Sequence, residues 1–207
     1  MSEASILPPA RKVARPQRPT SASGRVAREI VETFILTALV FLVIRVSVQP
    51  YEVVGPSMEP GMFTGEDVLV NTLAYLLGGP ARGDVIVFHP PSDLSTVYVK
   101  RVIGVPGDRI DISLNAVYVD GVKLNEPYVY PLGPGEDENN SVFTNIQLGP
   151  NQYYVMGDHR QDSTDSRAFG YVPRRNIIGK AEAVMWPLND AHFISTYSYV
   201  FAQVKQT

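Results

Sequence analysis

The chain has no cysteine. That excludes disulfides, thiolate catalysis and cysteine-based zinc sites, so the fold must hold together without covalent staples. It has no excess of positive charge either: 18 Lys and Arg stand against 21 Asp and Glu, a net charge of −3. A nucleic-acid binder is usually basic, so that class is set aside. No repeat of 20–50 residues is visible. Long hydrophobic runs are absent except for one near the N-terminus, and no long helical pattern follows it. With only three histidines, the candidates for a neutral catalytic base are few.

What is present is ordinary for a globular protein: 44% hydrophobic and 19% charged residues in a chain of 207, which suits one domain. Seventeen prolines and 16 glycines indicate many turns and hence many short strands. Residues 1–24 are poor in apolar side chains and carry Arg11, Lys12, Arg15 and Arg18, which reads as a disordered basic arm. The apolar run Ile30–Val48 covers 19 residues. As a helix it spans about 28 Å, close to a hydrocarbon core. Glu32 and Arg45 lie near its ends, where long side chains reach an interface. Residues 25–49 are therefore read as a transmembrane anchor. The basic arm in front places the N-terminus in the cytoplasm and residues 50–207 on the outer side. No small-x-small pair follows the run, which favours an uncleaved anchor over a removed signal.

After Gln49-Pro50, Tyr51–Val54 reads as a short strand. Further strands are expected at Asp67–Val70, Asp84–Phe88, Val97–Ile103, Gln152–Met156 and Ile177–Trp186, punctuated by Gly-Asp and Pro-Gly turns. Ala116–Leu124 with Asp120-Gly121 at its centre predicts a hairpin on a type I′ turn. Pro131–Ser141 is an acidic loop containing an Asn139-Asn140-Ser141 glycosylation pattern. Phe193–Val204 is aromatic and apolar but too short to span a bilayer. The expected fold is a mainly β domain behind one membrane helix.

Between these strands, Gly55-Pro56-Ser57-Met58-Glu59-Pro60-Gly61 holds a serine between two prolines, with glycines outside them. Proline and glycine together shape a loop that presents one side chain in a fixed pose. Most such loops are only turns; a serine hydroxyl becomes a nucleophile when a base stands beside it. Only nine residues separate Ser57 from the end of the apolar run, so it lies within about 30 Å of that end. Three kinds of base are available. A histidine (His89, His159 or His192) is one, and only His159 has acids next to it, in a conceivable Ser57-His159-Asp triad. A metal-bound water on Asp158, Asp162 and Asp165 is another, but their spacing fits no EF-hand loop. The third is Lys100. Strand alternation puts Tyr98, Lys100 and Val102 on one face and Val97, Val99, Arg101 and Ile103 on the other. A desolvated lysine loses its charge more readily, with a pKa brought to about 7–8. Residues 157–173 supply a polar segment in which Asp165 can pair with Arg167 and Ser163 can hydrogen-bond a neutral amine.

Pro56-Ser57-Met58-Glu59-Pro60, Tyr98-Val-Lys100-Arg-Val-Ile-Gly-Val-Pro-Gly-Asp108 and Gly157-Asp-x-Arg-x-x-Ser-x-Asp-Ser-Arg-x-Phe-Gly-x-Val-Pro173, behind an N-terminal anchor, resemble the successive boxes of bacterial type I signal peptidases. The resemblance runs over roughly Arg25–Trp186. It implies a signal-peptidase-like antiparallel β domain with one transmembrane helix. It implies a membrane-bound serine endopeptidase that cuts secreted and membrane precursors after small residues, in an Ala-x-Ala pattern, without metal or other cofactor. By the same resemblance Ser57 is the nucleophile and Lys100 its general base. Ser163 holds the amine, and Arg101, Asp158, Asp165 and Arg167 are ion-pairing residues near the site. Preproteins and the lipid bilayer are the implied partners, with no nucleic acid. Two positions depart from the pattern: Gly55 stands where some members carry a serine, and His159 where asparagine is usual. A non-catalytic anchored module that binds exported chains is the competing reading. A self-cleaving repressor-type Ser-Lys protease is a weaker one, since the anchor stands where its DNA-binding headpiece would be.

Overall fold

A computed structural model describes residues 22–113, 116–131 and 144–205. Residues 1–21 of the basic arm, most of the acidic loop and its Asn139-Asn140-Ser141 pattern lie outside the described residues. The chain divides into two compact units, residues 1–42 and 43–207.

The apolar run forms one helix, α1 (Ala22–Ser47). Its Gly24–Ser47 portion reaches a mean hydropathy of 2.2, and none of that stretch is buried in the protein. At 1.5 Å per residue its 26 residues extend about 39 Å, enough to cross a bilayer. The hydroxyls of Thr33 and Thr37 donate to the carbonyls four residues back, each at 2.8 Å. That satisfies them inside the helix, as an apolar surrounding requires. Arg28 and Glu32 pair one turn apart at 3.0 Å.

The second unit is built of strands: β1 (Val48–Glu52), β2 (Asp67–Asn71), β3 (Val85–Phe88), β4 (Tyr98–Gly104), β5 (Arg109–Ser113), β6 (Ala116–Val119), β7 (Val122–Lys123), β8 (Thr144–Gln147), β9 (Gln152–Met156), β10 (Val172–Pro173), β11 (Ile177–Trp186) and β12 (His192–Phe193). The larger sheet runs β1-β2-β11-β3-β4-β9-β10, with β12 paired to β11; the smaller runs β7-β6-β5-β8. All pairings are antiparallel. After α1, regular helix among the described residues is limited to α2 (Ser166–Phe169) and two single 3-10 turns.

Strand β1 starts at Val48, three residues before the expected Tyr51, and contains Pro50. A proline lacks the N–H a central strand needs, but β1 is an edge strand bonded only to β2, where that loss is tolerated. The Asp120-Gly121 turn has both residues at positive φ, 51° and 78°, joining Val119 to Val122 as a type I′ turn requires. Strands β5 and β8 were not expected and account for half of the smaller sheet.

Strand β4 crosses the middle of the larger sheet and is buried on both faces from Lys100 onward. Val102 packs with Ile86, Phe88 and Val155, whereas Val99 packs with Val53, Val85 and Val87, as alternation requires. Phe201 and Val204 of the C-terminal segment bury against Ile103 and Tyr154, so that segment packs on the core, while Phe193 and Tyr199 stay exposed.

Candidate active site

The serine loop is anchored from beneath. Met58 and Met62 are buried among Val53, Val68, Val70 and Val85. The Met62 N–H donates to the Met58 carbonyl and the Glu59 N–H to the Pro56 carbonyl, at 3.0 and 2.9 Å. Gly55 turns the chain into the loop at φ +91°, a conformation that L side chains rarely adopt. Two buried methionines and two backbone turns thus clamp the residues flanking Ser57, which is itself half-buried. Among the described residues nothing accepts a hydrogen bond from the Ser57 N–H.

Lys100 is 4% exposed. Its Nζ lies 2.7 Å from Ser57 Oγ and donates to the Val99 carbonyl at 2.9 Å. The Tyr98 ring is 5.1 Å away, on the face that alternation assigned to both residues. Among the described residues no carboxylate forms an ion pair with this amine. Burial therefore dominates and brings the amine down to about 8, against weaker opposing pulls from Asp165 and Asp158. A cleft of about 270 Å³ opens onto the pair; Val53–Ser57, Val97–Lys100, Val68 and Val87 are among the residues that line it.

The 157–170 segment braces this pair. Gly157 sits so close that a Cβ there would lie 2.5 Å from the Ser57 carbonyl oxygen and 2.3 Å from Ser163 Oγ, so only glycine fits. The His159 N–H donates to that same Ser57 carbonyl at 3.1 Å. Asp158 and Arg101, both buried, form a bidentate pair at 2.7 and 2.8 Å; Arg101 also donates to the Gly83 and Ser195 carbonyls and lies over the Tyr128 ring. Asp165 caps α2 through the Arg167 N–H and is bonded by the Arg167 guanidinium at 2.9 and 2.8 Å. Burial alone would raise the Asp165 carboxyl. Arg167, the Gly157 N–H and the Ser163 hydroxyl more than offset this and hold it below the usual carboxylate range.

One expected contact differs. Ser163 Oγ donates to Asp165 at 2.8 Å, and the Lys100 amine is held by Ser57 and Val99 instead. An ionised carboxylate is the stronger acceptor and draws the hydroxyl hydrogen. The other candidate bases are engaged elsewhere: His89 with the Thr96 carbonyl, His192 with Gly61 and Asp190 carbonyls. The His159 ring stacks on Tyr130. Among the described residues no three His, Cys, Asp or Glu side chains are grouped to hold a metal ion.

The sequence matches the family model described as signal peptidase, peptidase S26, over residues 26–186. The chain belongs to that family. As a member of S26 it is a serine peptidase. A signal peptidase IB of Staphylococcus aureus is 36% identical over 179 residues, covering 79% of this chain and 93% of that one. A signal peptidase I of Bacillus caldolyticus is 38% identical over 151 residues, 69% of this chain and 82% of that one. A solved signal peptidase I of Enterococcus faecalis is 28% identical and covers 49% of this chain and 95% of that one, with a TM-score of 0.43.

Within this S26 chain, three features of the site had no legible sequence signal. The Val99 carbonyl under the amine, the Gly157 contact with Ser57 and the His159 N–H bond are all backbone geometry. The Tyr98 ring beside the amine was signalled by the period of two.

Proposed function

We propose that this chain is a membrane-anchored signal peptidase in which Ser57 and Lys100 form the catalytic dyad. The observation that carries the reading is an amine 2.7 Å from a serine hydroxyl, buried and without a carboxylate partner among the described residues. A lysine in water is charged and cannot accept a proton at neutral pH. One brought down to about 8 can.

Ser57 Oγ attacks the scissile carbonyl carbon as its proton passes to Lys100 Nζ. The oxyanion that forms faces backbone N–H groups, that of Ser57 included, since Gly55 carries no hydroxyl to donate. The Lys100 ammonium returns the proton to the leaving amine, and the C–N bond breaks to leave an acyl ester on Ser57. Water then attacks the ester, giving its proton to Lys100, and Ser57 leaves with a proton back on Oγ. Ser163, Asp165 and Arg167 support the pair through Gly157, and Arg101 with Asp158 locks β4 to the segment that braces Ser57. This chemistry takes neither metal nor cofactor.

Substrates are secreted and membrane preproteins cut after small residues in an Ala-x-Ala pattern; the valine-lined cleft beside Ser57 supports this. Residues 25–49 anchor the chain, 1–24 form a cytoplasmic arm and 50–207 form the catalytic domain on the outer side. The unburied apolar surface of α1 supports the anchor.

The test is cleavage of an Ala-x-Ala precursor by full-length chain in detergent micelles. Ser57→Ala and Lys100→Ala should each abolish cutting. Full activity in either variant ends the reading, and a parent that binds precursors without ever cutting them points to a non-catalytic module.

A further inference from the structure

His159 takes no part in the proton transfers above, yet the protein holds it firmly. Its imidazole lies on the Tyr130 ring, with centroids 4.2 Å apart and planes 19° from parallel. Its Nδ1 is buried and has no hydrogen-bond partner among the described residues. That nitrogen therefore does not fix the ring, and the stack on Tyr130 sets its plane. The backbone N–H of the same residue supports the Ser57 carbonyl.

Tyr130 is itself anchored. It ends a short strap, residues 126–130, that follows the smaller sheet's β7. Its N–H donates to the Asp158 carbonyl at 2.9 Å. At the strap's other end, Glu126 accepts from both terminal nitrogens of Arg160, at 2.9 and 2.6 Å, and from the Tyr128 hydroxyl at 2.7 Å. Arg160 Nε reaches back to the Gly157 carbonyl at 3.1 Å. The strap thus grips residues 157–160 at two points. Two of those residues, Gly157 and His159, touch the Ser57 carbonyl.

We infer that Tyr130 is a positioning residue for Ser57, acting through the stack on His159 and the His159 N–H bond to the Ser57 carbonyl. This rests on the reading of Ser57 as nucleophile. The serine's Oγ goes where its backbone carries it. Releasing the His159 ring lets residues 157–160 shift, loosens that bond and turns the Ser57 peptide away from Lys100. No strap residue lines the cleft, so the effect falls on the reacting pair and not on substrate binding.

The experiment measures kcat and KM separately for the full-length chain in micelles on an Ala-x-Ala precursor, with thermal unfolding beside each variant. Tyr130→Ala is expected to lower kcat about tenfold with KM within about twofold. Tyr130→Phe, which keeps the ring, retains the parent's kcat. His159→Ala lowers kcat to a similar degree, and the double replacement is no worse than either single one, because both delete one contact. An unchanged kcat in Tyr130→Ala overturns the inference. So does a loss carried by KM, an equal loss in Tyr130→Phe, or additive losses in the double variant. If Tyr130→Ala does not fold, Tyr130→Leu is read by the same criteria. Failure of the dyad reading is separate, since it shows as a parent chain that does not cut or as a Ser57→Ala or Lys100→Ala variant that still does.

Discussion

Two adjacent residues of β4 are buried cations, and they have opposite fates. Arg101 is 3% exposed and Lys100 is 4% exposed. Arg101 meets a bidentate carboxylate, two backbone carbonyls and the faces of Tyr128 and Tyr197. Its charge is fully compensated and it stays ionised. Lys100 meets one hydroxyl, one carbonyl and a single ring, that of Tyr98, with no carboxylate in ion-pair range among the described residues. Its charge is poorly compensated, so it tends to give up its proton. Burial alone therefore does not decide a buried cation's role; the set of acceptors around it does.

The largest expected effect comes from erasing that difference at position 100. Lys100→Arg places a permanently charged group beside Ser57, since a guanidinium does not deprotonate in proteins. Precursor cleavage should fall about 10²–10⁴-fold, the usual contribution of a general base. Retained turnover would show that the neutral amine is not the base. The reciprocal change, Arg101→Met, leaves the Asp158 carboxylate buried and alone. It should cost about 3–5 kcal/mol of stability, read by denaturant unfolding, with much of that recovered when Asp158 is made apolar too. If Arg101→Met costs nothing, the pair is not what holds β4 to residues 157–160.

Next comes the contact through which the bracing segment reaches the serine. In Gly157→Ala the new methyl collides with the Ser57 carbonyl oxygen and with Ser163. The carbonyl belongs to the backbone and cannot swing aside. A displaced nucleophile should lower kcat up to about 10²-fold, with KM nearly unchanged. A variant with wild-type kcat would mean the loop absorbs the clash elsewhere.

These contrasts were partly legible in the chain. The helix, the turn at Asp120-Gly121 and the strand carrying Lys100 follow from composition, turn chemistry and period, all of them local signals. The pairing of Ser57 with Lys100 came from three boxes read together, because no local pattern encodes contact between residues 43 positions apart. What could not be read is where hydroxyl hydrogens go. Ser163 has both an amine and a carboxylate within its neighbourhood by sequence logic, and only the folded arrangement shows that Asp165 takes its hydrogen. Strands β5 and β8 are hidden for a different reason: Arg109–Ser113 has three polar residues of five and Thr144–Gln147 three of four, so neither makes an apolar, β-branched run, even though Pro106-Gly107 precedes one and Gly149-Pro150 follows the other.

The smallest effect separates the two cations by pH. Lys100 binds its proton less tightly when folded, at about 8, than when unfolded, at 10.5. The unfolded chain therefore holds more protons between those values, and stability rises with pH across that window. Below about 8 the folded protein carries the full cost of burying the ammonium. Lys100→Met removes the cost and should stabilise the chain by about 3 kcal/mol near neutral pH, with the gain vanishing as pH approaches about 10.5. Arg101 gives no such window, because its pKa is raised, beyond the range of the experiment. Cleavage should follow the same titration from the other side, rising as pH climbs through about 8 as the neutral amine becomes populated. Unfolding of the parent and of Lys100→Met at neutral and at alkaline pH decides the matter. If the two respond to pH alike, the amine is not charged at any cost to the fold, and the distinction between the two neighbours on β4 loses its physical basis.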